Sequence, residues 1–479
     1  MRSYDQNHSF LRSMIATTLA AAALGLPATV LAQDAPSATE QALAARVAEL
    51  EKQVQALLAA QKAAPPASAP AATVAAAPAA APGKPAPAPI QPTSITPNAA
   101  PNTTFMLTGF VKVDGLFTNT SHGEIPDNSS GRDYYIPGVT PVTGVDEGTD
   151  LNAHPKQSRL NFGTDTILAG GDKLSTRFEI DFYGSTTADQ RVSNSWAPAL
   201  RHAYVTWREW LVGQTWSNFM DPATLPEAAD FIGPTDGTTF VRQPQVRWTK
   251  GGLSLSAENR ETTITPYTGV GTTASATAGR ITSDDGMIPD LTARYAFKGD
   301  WGHVAIAALL RDLTYETTAA APTVTGVADR VDDSTWGASA SVSGKLNFGK
   351  DDVRWMLLYG DLGRYVGLNF ANDVIINSNG ELEVIEGWAG FVAYRHMWTD
   401  KLRSTFQYSL QDYDNDTSLS GSTAAWTPNK ASDSWSVNLF YTPIPKLDIG
   451  AEYRFATREV ENGDEGDLNR LQLTTKYSF

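Results

Sequence analysis

From Phe105 onward the chain alternates apolar and polar side chains with a period of two. Leu174, Thr176, Phe178, Ile180 and Phe182 interleave with Ser175, Arg177, Glu179 and Asp181. Leu447, Ile449, Ala451, Tyr453 and Phe455 interleave with Asp448, Gly450, Glu452 and Arg454, and the same beat carries Leu471, Leu473, Thr475, Tyr477 and Phe479. Successive side chains of a strand point to opposite faces, so one apolar and one charged face is the signature of half-buried strands. Sixteen segments carry it, at about 105–117, 154–165, 172–183, 200–208, 210–216, 241–250, 252–261, 289–298, 301–312, 334–348, 353–362, 386–397, 401–411, 432–442, 446–458 and 468–479.

The connections between these segments alternate in length. Short ones include Arg208-Glu209, Lys298-Gly299-Asp300 and Thr399-Asp400-Lys401; long ones run about 118–153, 184–199, 217–240, 262–288, 313–333, 363–385, 412–431 and 459–467. Short turns at one end and long loops at the other are the asymmetry of outer-membrane barrels. A soluble sandwich or propeller is the competing architecture. Against it stand the ionic middle of the charged face, the aromatics at strand ends (Trp207, Trp210, Trp248, Trp301, Trp355, Trp398 and Tyr477), and the apolar last strand. Aromatic girdles sit at lipid headgroups. Lipid-facing backbone must satisfy its own hydrogen bonds, so such a sheet has to close. The expected fold is therefore all-β, a 16-stranded antiparallel transmembrane β-barrel over 105–479. A barrel of that count leaves an aqueous channel.

The N-terminal region has a different pattern. Arg2 and Arg12 precede an apolar run, Met14 to Ala32, ending in Val30-Leu31-Ala32, as in a secretory signal peptide over 1–32; an uncleaved anchor is the alternative. In the segment 33–62, Leu43, Val47, Leu50, Val54 and Leu57 recur at heptad spacing, which predicts a short coiled-coil helix. Its Val/Leu seam favours dimers in isolation, and a single solvated helix is the other reading. Residues 63–104 form an Ala/Pro-rich linker. Proline locks φ and removes donors, so the linker is a stiff spacer. Its residues 63–101 could reach on the order of 120 Å if fully extended.

Composition narrows the chemistry. The 479 residues contain no Cys, which excludes disulfides, thiol nucleophiles and Cys-based metal sites. The formal charge of -15 argues against nucleic acid as a partner. Most acids, however, fall in the long loops. The polar-parity positions of the strands carry Lys112, Arg159, Arg177, Arg247, Arg260, Arg294, Arg311, Arg354, Arg403, Arg454, Arg470 and Lys476, opposed mainly by Asp114, Glu179, Asp181, Glu258, Asp448 and Glu452. Rings of Arg and Lys select anions, and a guanidinium matches a carboxylate with two parallel hydrogen bonds. Lys112, Arg159, Arg177, Arg247, Arg294, Arg354, Arg454 and Arg470 are thus the candidate pore-lining residues; the alternative is that they pair with neighbouring acids and only hold the wall.

The third long connection, Ser217 to Phe240, carries Met220, Leu225, Phe231 and Ile232 where a wet loop would be polar. It is expected to fold into the bore as a constriction loop, with Asp221, Glu227 and Asp230 facing the arginine wall across a transverse field. A surface loop against a neighbouring subunit is the alternative. There is no Gly-X-Ser-X-Gly, His-Glu-X-X-His or phosphate-binding Gly-rich motif, and the six His show no metal-ligand spacing. No enzyme activity, cofactor or metal is expected. His202 beside a lumen Ser and an acid is the residual hydrolase reading, and the acids of 459–467 the residual calcium one.

The order of features resembles the DcaP-like trimeric porins of Gram-negative bacteria. FMLTGFVKVDGLF (105–117), SRLNFGTDT (158–166), RHAYVTW (201–207), VGQTWSNFMDP (212–222) and YRHMWTDKLRSTF (394–406) are similar to that family's strand-and-turn segments. The resemblance implies a homotrimer in the outer membrane, in contact with the lipid bilayer and lipopolysaccharide. It implies an N-terminal coiled coil in the periplasm, able to contact the cell wall, and passive uptake of small anionic solutes such as succinate- or phthalate-like dicarboxylates. It further implies that the loop after Gln214-Thr215-Trp216 narrows the pore and that inward arginines, Arg159 among them, bind the solute. A phosphate-type or general porin is the nearest alternative, and a closed structural or adhesive barrel the one from another class. The Ala/Pro spacer is long for the family.

Overall fold

The computed structural model describes Lys52 and residues 102–127, 129–146, 148–184, 194–266, 280–317, 330–416 and 427–479. The signal peptide (1–32), the coiled coil (33–62) apart from Lys52, and the linker (63–104) up to residue 101 lie outside those residues. Among the described residues no helix is long and apolar enough to cross a membrane.

The strands are β1 Thr103–Thr120, β2 in two pieces Asp150–His154 and Arg159–Ile167, β3 Lys173–Asp181, β4 Ala199–Trp207, β5 Trp210–Trp216, β6 Arg242–Lys250, β7 Leu253–Glu258 and β8 Asp290–Gly299. They continue as β9 Gly302–Glu316, β10 Asp332–Phe348, β11 Asp351–Gly360, β12 Glu386–Met397, β13 Leu402–Asp414, β14 Asn429–Tyr441, β15 Leu447–Val460 and β16 Glu465–Ser478. Seventeen hydrogen-bonded segments form one sheet, and the two pieces of β2 share the same edge of β1, which leaves sixteen strands. Each strand pairs antiparallel with the next, and β1 pairs with β16 from Phe110↔Ser478 to Thr120↔Leu468, closing the barrel. The sheet has no free edge, as a lipid-embedded sheet requires.

All sixteen expected segments are strands. One expected loop is not a long one: β15 and β16 run up to Val460 and Glu465, and the backbone N–H of Val460 donates to the Asp464 carbonyl at 3.1 Å. The last connection is a tight turn because Arg458↔Gly466 and Glu459↔Glu465 continue the ladder through the acidic run.

The outward face is apolar. Val111 and Val113 on β1, Ile306 on β9 and Leu473 on β16 are exposed. Trp207, Trp210, Trp301, Trp398 and Tyr477 stand exposed at the tight-turn end. Their rings there match a headgroup girdle.

The inward face is not uniformly polar, contrary to the expectation from parity. Ala307, Leu309, Met356, Leu358, Ala389, Phe391 and Ala393 point inward and are buried. They pack against residues of two connections: Phe219 of 217–240, and Leu362, Tyr365, Val366 and Phe370 of 361–385. A second cluster joins Leu313, Tyr315 and Val331 to a small sheet ordered Ile281–Ser283, Thr262–Thr265, Val374–Ile376, Leu382–Val384. A third brings Ile125 and Tyr135 of the first long connection onto Ala456 and Leu468. Burial of apolar surface thus draws loops into the barrel.

The loop 361–385 departs at Gly360. Its φ is +120°, and a Cβ there would lie 2.1 Å from the Ala338 carbonyl oxygen, so only glycine permits the departure. A charged latch fixes the loop. The fully buried Arg311 guanidinium reaches Asp361 at 2.9 Å and Asp373 at 2.7 Å, with Asp290 at 3.4 Å. Asp373 also accepts from the backbone N–H of Thr263 at 2.8 Å and of Arg364 at 2.9 Å. Burial alone would raise the Asp373 carboxyl, but Arg311 outweighs it and holds the group below its ordinary range. Burial dominates at Asp361, which sits well above the ordinary value.

Candidate functional site

The connection 217–240 runs round the inner wall rather than across open water. Asn218 Nδ2 donates to the Ser254 carbonyl of β7 at 3.0 Å and to Thr292 of β8 at 2.9 Å. Asp221 meets His303 at 2.7 Å, Ser343 at 3.1 Å and Arg294 at 3.7 Å. The Leu225 carbonyl accepts from Arg354, and Glu227 takes Arg403 in a bidentate pair at 2.6 Å. Ala229 accepts from Lys112 at 2.6 Å and from Gln472 at 2.8 Å through its carbonyl, and donates to Glu452 at 2.8 Å. Asp236 accepts from Ser409, Ser432 and Ser434 at 2.8, 2.6 and 2.5 Å. At Gly237 the loop touches β12 so closely that a Cβ would lie 2.0 Å from the Gly390 carbonyl oxygen.

The loop acids therefore do not stand across a gap from an arginine wall, as the sequence suggested. Asp221 and Glu227 touch basic side chains of the wall they lie on. Asp230 caps the backbone N–H groups of Tyr135 at 2.8 Å, Ile232 at 3.0 Å and Gly233 at 3.1 Å, and among the described residues no guanidinium donates to it. Asp221 and Glu227 act as anchors at contact distance on the wall.

The same contacts sort the candidate lining residues. Lys112 is buried, paired with Asp114 at 3.1 Å and bonded to Gln157. Arg454 is sealed beneath the loop, donating to the Gly233 carbonyl at 2.7 Å with its guanidinium 4.9 Å from the Tyr135 ring. Arg470 donates to the Gly131 carbonyl at 2.6 Å, under the first long connection. Arg354 pairs with Asp352 at 2.7 Å. These four point inward but are covered or engaged. Arg159, Arg177, Arg247 and Arg294 keep more solvent access, with Arg159 24% and Arg177 25% exposed. Arg177 pairs with Asp165 at 3.0 Å, Arg159 lies 3.5 Å from Glu179, and Arg247 donates to Gln245 at 2.8 Å and to the Trp216 carbonyl.

The wall from β2 to β6 receives none of the loop's hydrogen bonds described above, and two arginines missed by parity stand there. A bulge in the β3–β4 ladder pairs Glu179 with His202 but Ile180 with Leu200. The unpaired residue, Arg201, turns inward along with His202, because a bulge inserts one residue and breaks the period of two. Arg201 reaches Glu179 at 2.8 Å and Asp181 at 2.6 Å. Arg242 opens β6 opposite Trp216, where parity no longer holds, and its guanidinium lies 4.6 Å from the Trp216 ring and 5.5 Å from Phe240. Among the described residues Arg242 has no carboxylate within salt-bridge distance. The charges of Arg159, Arg201 and Arg242 act on one another and on Glu179 and Asp181. Among the described residues three guanidiniums thus face two carboxylates. The rim is aromatic: Phe231 lies 5.2 Å from Arg201 and 5.1 Å from both Tyr134 and Tyr183. Burial raises the Tyr134 phenol to about 12, which keeps it neutral.

His202 bonds Thr215 at 3.0 Å and lies 3.8 Å from Glu179, so its hydroxyl neighbour is a threonine inside a guanidinium cluster. Among the described residues no three His, Asp or Glu are arranged to hold a metal ion. The acids of 459–467 have other partners, Glu459 with Lys430 at 2.6 Å and Glu461 with Asn415 at 2.8 Å.

A family model described as DcaP outer membrane protein matches residues 136–479. The chain belongs to that family. It is accordingly an outer-membrane protein, with a barrel built for lipid on its outer face. Among solved structures, this family member is similar to the outer membrane channel DcaP of Acinetobacter baumannii, at 24% identity and a TM-score of 0.61, over 80% of this chain and 99% of that one. It also matches an OmpT of Vibrio cholerae lacking its loop L8, at 12% identity and a TM-score of 0.45, over 79% and 100% of the two chains. An anion-selective porin from Comamonas acidovorans matches at 11% identity and a TM-score of 0.45, over 79% and 100%. A search of curated proteins found no match.

Proposed function

We propose that the protein is a passive outer-membrane porin for small anionic solutes, dicarboxylates of the succinate or phthalate kind. Solute would pass between the uncovered wall of β2–β6 and the inward loop 217–240, which narrows the bore. The observation that carries this reading is the gathering of Arg159, Arg201 and Arg242 around Glu179, Asp181 and the Trp216 ring, an excess of cations among the described residues. A local excess of positive charge in a low-dielectric bore concentrates anions, and an arginine without its own carboxylate offers a two-point contact that releases as readily as it forms. Arg177 on β3, Arg247 on β6 and Arg294 on β8, each partly exposed, extend the basic path. Signal peptide, periplasmic coiled coil and homotrimeric assembly belong to the same proposal.

Reversal potential in planar bilayers under a KCl gradient tests it. Anion preference is expected, weakened in Arg242→Gln and further in the Arg159→Gln/Arg242→Gln pair; cation selectivity of the parent protein sinks the reading. One observation favours a second reading, a weakly selective general pore: Arg177, Arg201, Arg354 and Arg403 each sit within 3.0 Å of a carboxylate. Equal swelling rates of liposomes in succinate, phosphate and an uncharged solute of matched size would select it.

A further inference from the structure

A second pair of guanidiniums stands at the long-loop end, away from the β2–β6 wall. Arg280 precedes the small sheet and Arg458 lies near the end of β15. They line one cavity of about 240 Å³ with Asn369, Phe370, Gly138 and Asn429. That is far more than the ~10–15 Å³ one water needs, and below the size of a drug-scale pocket.

The partners of both arginines are neutral. Arg280 Nε donates to Asn372 Oδ1 at 2.5 Å, and its Nη2 to the Asn369 carbonyl. Arg458 Nε donates to Asn429 Oδ1 at 2.8 Å, and its Nη1 to the Thr140 carbonyl at 2.6 Å. Asn429 in turn donates to the Phe370 carbonyl at 2.5 Å, so both guanidiniums are held against the same segment, 369–372. The acids whose fields reach Arg280 are Asp373 and Glu261. Asp373 is already engaged by Arg311, and Glu261 lies 3.9 Å from Arg364. Glu461 accepts from Asn415. Among the described residues neither Arg280 nor Arg458 has a carboxylate within salt-bridge distance. Half-buried cations with only neutral partners carry unspent attraction for an anion. The wall between them is mixed, with Ile136 and Val139 as apolar patches among Thr265, Asn369 and Asn415.

We propose that this cavity is a capture subsite for small dicarboxylates at the long-loop mouth, with Arg280 and Arg458 holding the carboxylates and Ile136 and Val139 lying against the carbon body. The inference rests on the anion reading above and adds a place where solute is gathered before it enters the bore.

The experiment uses the full-length protein in planar bilayers, with phthalate added to one side at a time as a current blocker. Two variants are compared with the parent. Arg280→Gln/Arg458→Gln removes the charge. Gly138→Leu fills the space while keeping both charges; a Cβ at Gly138 meets Asn429 at 3.4 Å and Phe370 at 3.8 Å, ordinary contacts, so a side chain leaves the backbone there without strain. Heat-modifiable migration on gels confirms that each barrel is folded. The half-blocking concentration from the long-loop side is expected to rise roughly tenfold in both variants, the equivalent of one charge-assisted contact, and to stay unchanged from the other side. Block from the long-loop side at the parent concentration in either folded variant overturns the subsite, as does a parent protein that phthalate does not block from that side. The KCl reversal potential of the same channels scores the anion reading separately, since neither variant touches Arg159, Arg201 or Arg242.

Discussion

The two halves of the barrel interior are built from the same alternating strands and end in opposite states. On β9 to β12 the inward positions are Ala307, Leu309, Met356, Leu358, Ala389, Phe391 and Ala393, and two loops lie on them as on a soluble core. On β2 to β6 they are Arg159, Arg177, Glu179, Arg201 and Arg247, and several keep access to solvent. The comparison teaches that a barrel lumen is not a default water column. It is wet only where the inward side chains cost too much to cover. Burying a methyl or phenyl group is favourable, whereas burying a guanidinium demands a partner for every donor.

The latch is where that comparison can be broken most severely. Asp373→Ala leaves the Arg311 guanidinium buried beside unsatisfied groups, and Arg311→Ala leaves carboxylates in the same position. Removing one member of a buried ion pair costs about 3–5 kcal/mol. Either change should lower the urea midpoint and raise both the conductance and its noise, because the loop 361–385 loses its anchor. Unchanged conductance noise would show that the apolar contacts alone hold the loop. The latch also has a pH signature. With its folded pKa depressed, Asp373 contributes stability that is present above the unfolded value of about 3.9 and lost as pH falls through the folded one.

Phe219→Ala comes next. The ring is fully buried between the loop 217–240 and the covered wall, 6.0 Å from Tyr365. Its removal should cost about 3 kcal/mol in unfolding free energy, with little change in ion selectivity. A large selectivity change would show that the covered half also carries current.

The smallest effects sharpen the open half. Arg201→Gln strands Asp181 and leaves Glu179 with Arg159 at 3.5 Å, and should cost about 1–3 kcal/mol along with some anion preference. Arg242→Gln, with no carboxylate partner to strand, should leave the melting temperature alone and shift only the reversal potential. Equal stability losses in the two variants would mean that Arg242 has a structural partner of its own.

Much of this molecule was legible in its sequence. A period of two, alternating short and long connections and a girdle of Trp at strand ends specify the sixteen strands, their antiparallel order and the face that meets lipid. These are local consequences of backbone geometry and of the cost of unpaired amides in oil. The inward direction of most arginines followed from the same beat. It failed at Arg201, where a bulge adds a residue, and at Arg242, where a strand begins. A signal for the covered wall was also present: GHVAIAALL, 302–310, is apolar at both parities, which marks a strand buried on both faces. What packs there could not be read, since the partner, loop 361–385, is distant in the chain. Whether Asp221 and Glu227 face their arginines across water or at contact distance was likewise decided by the tertiary structure. Charge spacing along a chain sets which groups attract; only the closed fold sets how much water is left between them.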